Sequence, residues 1–262
     1  MNRAPASAQY ARTVAMADGR GVAKSTSARY VEANRINPIL MKRIAVVIPA
    51  HNEGERALAV ARESVRHADF AIVVDDGSDR LPSRRSGGVP ASVIVLRHPV
   101  NLGKGAALKT GCAAAVRLGA DIIVTLDGDG QHPPACIPGV VRHLEDGGLD
   151  IVFTARTGGD AMPLVRRWGN RAINFAAARG FGLHTADLWC GFRAFRADAL
   201  PRMPWSGRDY SGEVQMALAA GKNGLRYGEY PIPTLYADAA KGVHIMHGIK
   251  LLAQMAMWRI LS

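Results

Sequence analysis

The sequence predicts an α/β fold in which a doubly wound, mostly parallel sheet is flanked by helices. Three observations support this. Apolar runs of strand length alternate with segments of helical length, and the runs are continuous in Val and Ile, which is typical of strands covered on both faces. Acidic or polar residues follow three of the runs directly. With 262 residues and 48% hydrophobic content, the chain can form a sizeable core.

Apolar periodicity and helix signals assign the elements in chain order. The predicted elements are a strand at 44–49, a helix at 55–67, strands at 70–74 and 92–96, a helix at 105–118, and strands at 121–126 and 150–155. The helix at 105–118 carries small and apolar residues at helical spacing. It is therefore expected to pack closely on the sheet.

Residues 1–40 differ in composition from the rest of the chain. They are rich in Ala, Ser, Arg and Asn without a sustained period, which predicts a poorly ordered extension. The patterned region begins at Met41, so one hypothesis is that Met41 is the biological start, which intact-mass measurement of the native protein would decide. Residues 41–240 are predicted to form the folded domain, and 241–262 a C-terminal helix.

The formal charge of +11 is compatible with nucleic acid, an anionic membrane surface or a phosphate-rich substrate. Part of the excess lies in residues 1–40, which leaves +7 for the remainder. The sequence contains no identifiable recognition helix, zinc finger or aromatic ribonucleoprotein motif. We therefore expect no nucleic-acid partner. A basic nucleic-acid-binding protein is kept as the alternative from a different functional class.

Cysteine usage and hydropathy favour a cytoplasmic location. Cys112, Cys136 and Cys190 lie far apart without the spacing of a zinc site or a disulfide framework, so they are expected to be reduced. No apolar run approaches the roughly 18 to 20 residues of a membrane-spanning helix. Peripheral attachment to the inner face of the cell membrane is compatible with both observations.

Three polar or acidic segments follow predicted strands. They are His51-Asn52-Glu53, Asp75-Asp76-Gly77-Ser78 and Asp127-Gly128-Asp129. Ligands of doubly wound sheets bind beyond the carboxyl ends of the strands, so these segments should converge on one site. The paired carboxylates can hold Mg²⁺ or Mn²⁺ against a diphosphate. The alternative is an ordinary turn, in which Asp and Gly are favoured for their backbone behaviour.

Several ordered motifs make the chain resemble the family 2 glycosyltransferases, which have the glycosyltransferase A-type fold. The resemblance is strongest to dolichyl-phosphate mannosyltransferases and bacterial polyprenyl-phosphate sugar transferases. The motifs are Val-Ile-Pro-Ala-His-Asn-Glu at 47–53, Val-Asp-Asp-Gly-Ser at 74–78, Asn-Leu-Gly-Lys-Gly at 101–105, Leu-Asp-Gly-Asp-Gly-Gln-His-Pro-Pro at 126–134 and Gly-Phe-Arg-Ala-Phe at 191–195. The resemblance covers residues 43–236, and 41–240 would be the catalytic domain.

The resemblance implies a nucleotide-sugar donor, an inverting transfer and a lipid-phosphate acceptor. Metal binding and catalysis would fall to Asp127 and Asp129, with Gln131 as a further ligand of Mg²⁺ or Mn²⁺. The donor would also be held by Pro49, Ala50, Glu53, Asp76 and Lys104. The residues implied on the acceptor side are Arg156, Arg166, Arg171, Asp187 and Glu213. Arginines of this kind clamp phosphates through charge-assisted hydrogen bonds, although a charged helix face is the alternative for Arg166 and Arg171.

The segment Leu188-Trp189-Cys190 departs from the family, which usually has Thr-Gln-Ser or similar before Gly-Phe-Arg. This departure leaves the acceptor identity open, because the region should border the acceptor. Cys190 as a nucleophile would need an oriented His, which the sequence does not assign, so a buried small side chain is favoured.

Two acceptor classes predict different chemistry. A lipid phosphate is already largely ionised near neutral pH and needs no strong general base. A glycan or other hydroxyl acceptor would need a carboxylate base, for which Asp187, Asp209 and Glu213 are the candidates.

Residues 241–262 contain no acid and carry Lys241, Lys250 and Arg259. An apolar stripe at helical spacing comprises Ile245, Ile249, Leu252, Ala256 and Ile260. This pattern predicts an amphipathic helix on an anionic membrane surface. A helix that packs on the domain or on a partner is the alternative.

Overall fold

The computed structural model describes residues 42–79, 89–157, 164–233 and 245–261. The strands are β1 (Ile44–Ala50), β2 (Phe70–Asp76), β3 (Val93–His98), β4 (Ile122–Thr125), β5 (Ile151–Thr157), β6 (Arg193–Arg196) and β7 (Tyr227–Pro233). The helices are α1 (Gly54–Ser64), α2 (Lys104–Arg117), α3 (Ile137–Asp146), α4 (Leu164–Phe181), α5 (Ser211–Lys222) and α6 (Ile245–Leu261). The prediction for residues 1–40 lies outside the described residues.

The seven strands form one sheet in the order β3-β2-β1-β4-β6-β5-β7. Strands β1 to β4 are mutually parallel, β5 and β7 are parallel to each other, and β6 runs antiparallel to both β4 and β5. The chain builds outward from β1 through β2 to β3 and then returns to the other side of β1 with β4. The mixed, mostly parallel α/β sheet confirms the predicted fold class, and the reversal between β1 and β4 creates the switch point where such sheets bind ligands.

The sheet is covered on both faces, because alternate strand residues belong to two apolar clusters. In β1, Val47 contributes to the cluster that contains residues of α2, α4, α5 and α6. Its neighbour Val46 contributes to the cluster with α1 and α3. The edge strand β3 departs from the prediction of strands covered on both faces, since Val95 is 40% exposed.

The C-terminal helix α6 packs on the domain through Leu251 and Met255, which are both buried. These two positions lie one residue before Leu252 and Ala256 of the predicted stripe, and Ala256 is exposed. Within the described residues, no helix has the length and apolar character needed to cross a membrane.

Candidate active site

The segments that follow β1, β2 and β4 lie together, because these three strands are neighbours in the sheet. The His51 ring is within hydrogen-bond distance of the Asp76 carbonyl oxygen, with Nδ1 at 2.8 Å. Besides burial, the negative charge of Glu53 raises the pKa of Asp129. The structure therefore places the three predicted strand-end segments at one site.

Lys104 links two carboxylates at the centre of the site. Its Nζ lies 2.6 Å from Asp127 Oδ1 and 2.7 Å from Glu213 Oε2, and all three side chains are largely buried. Burial alone would lower the pKa of Lys104, but the two carboxylates raise it above its ordinary value. Lys104, the first residue of α2, is therefore a fixed positive charge that joins the end of β4 to α5.

The two aspartates of the pair have opposite pKa shifts. Burial would raise the pKa of Asp127, yet Lys104 lowers it below the ordinary value, with smaller contributions from His132 and Arg156. Burial raises the pKa of Asp129, and the negative charges of Asp127 and Glu53 add to that shift. Two neighbouring carboxylates that repel each other in this way gain from a shared divalent cation.

The pair presents the oxygen ligands that Mg²⁺ or Mn²⁺ prefers. Gln131 lies beside it, since its backbone N–H donates to Asp129 Oδ1 at 2.9 Å. Within the described ranges, no group of three or more His, Cys, Asp or Glu side chains could hold a metal ion alone. This donor set fits a magnesium-type ion, which is commonly held by one or two carboxylates together with substrate phosphates and water.

Gly191 makes room for Asp127, a role that the sequence motif did not reveal. A Cβ at this position would lie 2.6 Å from Asp127 Oδ1 and 3.0 Å from its Cγ. The loop before β6 can thus approach the carboxylate closely only because residue 191 has no side chain.

Asp76 is turned into the protein. Its Oδ1 accepts from Leu102 N at 2.9 Å and its Oδ2 from Gly103 N at 2.7 Å. Oδ1 also lies 2.7 Å from Nδ1 of buried His98. These contacts give Asp76 a role in fixing the loop that carries Lys104, while its predicted contact with the donor stays a prediction.

The glycines of the 101–105 motif allow two loops to touch. A Cβ at Gly103 would lie 2.4 Å from the Arg208 carbonyl oxygen, and one at Gly105 would lie 2.3 Å from the Gly207 carbonyl oxygen. Gly105 N also donates to the Arg208 carbonyl at 2.6 Å. The motif thus brings Lys104 within reach of Glu213 on α5.

Arg156 and Asp187 form a two-pronged ion pair. Arg156 Nε donates to Asp187 Oδ2 at 2.6 Å, and Nη2 donates to Oδ1 at 2.9 Å. Together with Lys104, the positive charge of Arg156 lowers the pKa of Asp127. Asp187 therefore fixes the orientation of an arginine that lies close to the aspartate pair.

Each carboxylate predicted as a possible base has a partner. Asp187 is bound to Arg156, and Glu213 is bound to Lys104. Asp209 accepts from Ser211 N at 2.9 Å at the start of α5, and hydrogen bonds from the Ser211 side chain and backbone lower its pKa. All three are thus held by a cation or by the backbone.

Arg193 organises the loop before β6, which sequence reasoning did not anticipate. Its buried guanidinium donates from Nε to the Cys190 carbonyl, from Nη1 to the Glu213 carbonyl and from Nη2 to the Leu188 carbonyl. The arginine of the Gly-Phe-Arg motif is therefore a structural anchor for the segment that departs from the family.

Cys190 is buried, as the sequence favoured. Its Sγ lies 3.0 Å from Thr154 Oγ1 and 3.9 Å from His132 Nε2. Burial and the nearby negative charge of Asp187 raise its pKa to about 11. Burial also lowers the pKa of His132. The thiol is therefore protonated near neutral pH and unsuited to nucleophilic attack, although an imidazole lies close by.

The remaining predicted site residues are Pro49, Ala50, Arg166 and Arg171. Pro49 and Ala50 form the end of β1, and the Pro49 carbonyl oxygen would lie 3.2 Å from a Cβ at Gly128. Arg171 is exposed on α4, and the Arg166 side chain lies outside the described residues. The roles of these residues stay predictions.

A doubly wound sheet with paired carboxylates and a buried lysine at its switch point has the form of an enzyme active site. Glycosyl transferase family 2 matches residues 45–203 of the chain. The chain belongs to this family and is a glycosyltransferase.

Two archaeal relatives match over most of their length. The chain is 34% identical to an uncharacterized protein from Methanocaldococcus jannaschii, over 87% of this chain and 96% of that one. It is 30% identical to the UDP-N-acetylglucosamine–dolichyl-phosphate N-acetylglucosaminyltransferase of Methanococcus voltae, over 84% of this chain and 97% of that one.

The chain is also similar to a bacterial relative and to a solved structure. The undecaprenyl-phosphate 4-deoxy-4-formamido-L-arabinose transferase of Pseudomonas savastanoi is 31% identical over 64% of this chain and 51% of that protein. Glucosyl-3-phosphoglycerate synthase from Mycobacterium tuberculosis, in complex with Mn²⁺, UDP and glucosyl-3-phosphoglycerate, superposes with a TM-score of 0.56 at 23% identity. That match covers 83% of this chain and 80% of that one.

Proposed function

We propose that the enzyme transfers a sugar from a nucleotide-diphosphate sugar to a polyprenyl- or dolichyl-phosphate-type lipid, with inversion at the anomeric carbon. The relatives named for dolichyl-phosphate and undecaprenyl-phosphate acceptors support this acceptor class. The donor would be held by Pro49, Ala50, Glu53, Asp76, Lys104 and Asp127.

The observation that carries this proposal is that each of the three candidate bases already has a hydrogen-bond or ion-pair partner within the protein. Asp187, Asp209 and Glu213 each have a cation or backbone partner. A hydroxyl acceptor needs a group that removes its proton, whereas a phosphate oxygen arrives ionised. The site is therefore better suited to a phosphate acceptor than to a glycan hydroxyl.

The reaction would be a single displacement. An oxygen of the lipid phosphate attacks the anomeric carbon and forms the new C–O bond, while the bond to the donor β-phosphate breaks and its electron pair leaves with the nucleoside diphosphate. Arg156, oriented by Asp187, would bind the acceptor phosphate and align it with the anomeric carbon. Lys104 would face the charge that develops on the leaving group.

A divalent Mg²⁺ or Mn²⁺ ion would be held by Asp127 and Asp129, with Gln131 beside them. When bound, it would supply charge stabilisation for the departing diphosphate. The remaining coordination positions would be filled by phosphate oxygens and water.

The enzyme would work in the cytoplasm against the inner face of the cell membrane. A lipid acceptor requires access to a bilayer, and the C-terminal helix α6 is free of acidic residues. Peripheral attachment through this helix would deliver the acceptor to the site.

The test is a transfer assay across common nucleotide sugars with a short-chain, water-soluble polyprenyl phosphate. We expect transfer with Mg²⁺ or Mn²⁺, loss on chelation, and a fall of about 10³-fold for Asp129→Asn. If none of the nucleotide sugars tested binds to the protein, the proposal is contradicted. Transfer to a glycan hydroxyl but not to the lipid phosphate contradicts the acceptor.

A further inference from the structure

One carboxylate ties the segment before Asp187 to the edge strand β7. Glu229 Oε1 accepts two hydrogen bonds, from Thr185 Oγ1 and from Ala186 N, both at 2.7 Å. Glu229 belongs to β7, which is the last strand in the order of the sheet. The two bonds therefore hold the backbone directly before Asp187, the residue that binds Arg156.

Thr185 extends this contact to Asp187. Its hydroxyl donates to Glu229 and also accepts a longer hydrogen bond from Asp187 N, at 3.4 Å. The Asp187 carboxylate in turn accepts both bonds from Arg156, at 2.6 and 2.9 Å. A continuous chain of contacts therefore runs from Glu229 to Arg156. It ends on the guanidinium that the proposed function assigns to the acceptor phosphate.

Glu229 acts through these intermediates because its side chain and that of Arg156 lie on different faces of the sheet. In the parallel pair of β5 and β7, Glu229 lies opposite Phe153, and Arg156 lies opposite Ile232. Phe153 and Ile232 belong to the apolar clusters on the two different faces. Paired residues of neighbouring strands share a face, so Glu229 and Arg156 point to opposite ones. Residues 185–187 are thus the connection between them.

Two further contacts keep the segment attached to the domain when Glu229 is changed. Asn174 of α4 donates from Nδ2 to the Ala186 carbonyl at 2.7 Å. The Tyr227 hydroxyl oxygen accepts from His184 N at 2.9 Å. Glu229 itself is exposed, so its hydrogen bonds compete with water and add little to the stability of the fold. Loss of the carboxylate should therefore change the geometry of the segment without unfolding the protein.

We propose that Glu229 is a positioning residue for the transfer reaction. Through Thr185 and Asp187, it sets the direction in which Arg156 presents its guanidinium to the acceptor phosphate. The inference rests on the proposed function for the identity of that acceptor. It gives the edge strand β7 a part in acceptor binding, in addition to the strand-end segments that follow β1, β2 and β4.

The first test needs no substrate. The Nε–H group of Arg156 gives a resonance in a proton–nitrogen correlation spectrum of the full-length chain, identified by its loss in Arg156→Gln. Glu229→Ala should shift this resonance and speed its exchange with water about threefold or more. Glu229→Gln should leave it unchanged, because an amide oxygen accepts the same two bonds. Thr185→Val removes the linking hydroxyl and should act like Glu229→Ala.

Asp150→Ala is the matched control for this spectrum. Asp150 is also a carboxylate that binds next to β7, but it does so at the other end of the strand, where it accepts from Arg226 N at 2.8 Å. We expect the Arg156 resonance to be the same in this variant and in the wild type. A shift in Asp150→Ala as large as that in Glu229→Ala would indicate a general loosening of β7 and overturns the proposal.

The second test is steady-state transfer to the water-soluble lipid phosphate. Glu229→Ala should raise the acceptor KM about fivefold and leave the donor KM and kcat within about twofold of the wild type. Glu229→Gln should restore the acceptor KM. If Glu229 acts only through Asp187, adding Glu229→Ala to Asp187→Asn should cause no further loss.

An Arg156 resonance that is the same in Glu229→Ala and in the wild type overturns the proposal. A shifted resonance with an unchanged acceptor KM, or with an equal rise in the donor KM, also overturns it. The wild type may instead transfer no sugar to the lipid phosphate while the Arg156 resonance responds to Glu229→Ala and not to Glu229→Gln. That result upholds the positioning of Arg156 by Glu229 and contradicts the proposed function.

Discussion

Two sides of the site are held in place by different kinds of interaction. The strand-end side comprises Glu53, Asp76, Asp127 and Asp129, which follow or end three parallel strands in fixed register. The loop side comprises Arg156, Asp187 and Cys190. Its shape depends on side-chain bonds, including the ion pair between Arg156 and Asp187.

This difference indicates where side chains of the site can change without disturbing the backbone. Strand register fixes the backbone of the strand-end side, so its carboxylates should keep their positions when neighbouring side chains change. On the loop side, Arg193 holds two carbonyls of the 188–190 segment, so its side chains can change while the backbone stays in place. The departures from the family at Leu188, Trp189 and Cys190 lie in this segment.

Among the variants that compare the two sides, the largest effect should come from the point where they touch. Gly191→Ala introduces a Cβ 2.6 Å from Asp127 Oδ1, and a displacement of that carboxylate should lower kcat/KM about 100-fold. Steady-state transfer kinetics measure this. Gly180→Ala is the matched control because nothing lies within 4 Å of its Cβ. Equal activity of both variants would show that Asp127 has room to move.

The strand-end side could be predicted from the sequence because its signals are local. A Val- and Ile-rich run followed at once by Asp127-Gly128-Asp129 carries both the strand and the site in adjacent residues. The convergence of three such ends then follows from the topology of a parallel sheet.

The contacts of the loop side could not be predicted, because they join residues far apart in sequence. Asp187 lies 31 residues from Arg156, and no pattern in either segment identifies the other. The inward orientation of Asp76 was missed for the same reason. Its partners Leu102 and Gly103 are 26 and 27 residues away and donate through the backbone, which has no sequence signature.

The ion pair on the loop side should have the next largest effect. Asp187→Asn weakens the hold on Arg156, and kcat/KM for the lipid phosphate should fall about tenfold, mainly through the acceptor KM. The donor KM should stay unchanged. If Asp187 acts only through Arg156, adding Asp187→Asn to an Arg156→Gln variant should cause no further loss. A further fall in kcat in the double variant would indicate that the carboxylate acts directly, as a base would.

On the strand-end side, Lys104 occupies the neighbourhood where a divalent ion would sit. Lys104→Met removes a positive charge 2.6 Å from Asp127, so Mn²⁺ should bind at least about fivefold more tightly without nucleotide, while nucleoside diphosphate binds more weakly. Electron paramagnetic resonance of free Mn²⁺ and calorimetry measure the two affinities. Lys109→Met on the same helix is the matched control, and Lys104→Met/Glu213→Gln corrects for the carboxylate left behind. Unchanged Mn²⁺ affinity would place the ion away from Asp127.

The smallest effect should follow from Cys190→Ala. The thiol is buried and its pKa is raised to about 11, so it has no thiolate to offer near neutral pH. Thr154 Oγ1 keeps its hydrogen bond to the Phe192 carbonyl at 2.7 Å when the sulfur is removed. We therefore expect transfer within about twofold of the wild type and a loss of about 1 kcal/mol in the free energy of unfolding. A nucleophilic cysteine would instead cost about 10⁴-fold or more in kcat, so a single transfer assay separates the two roles.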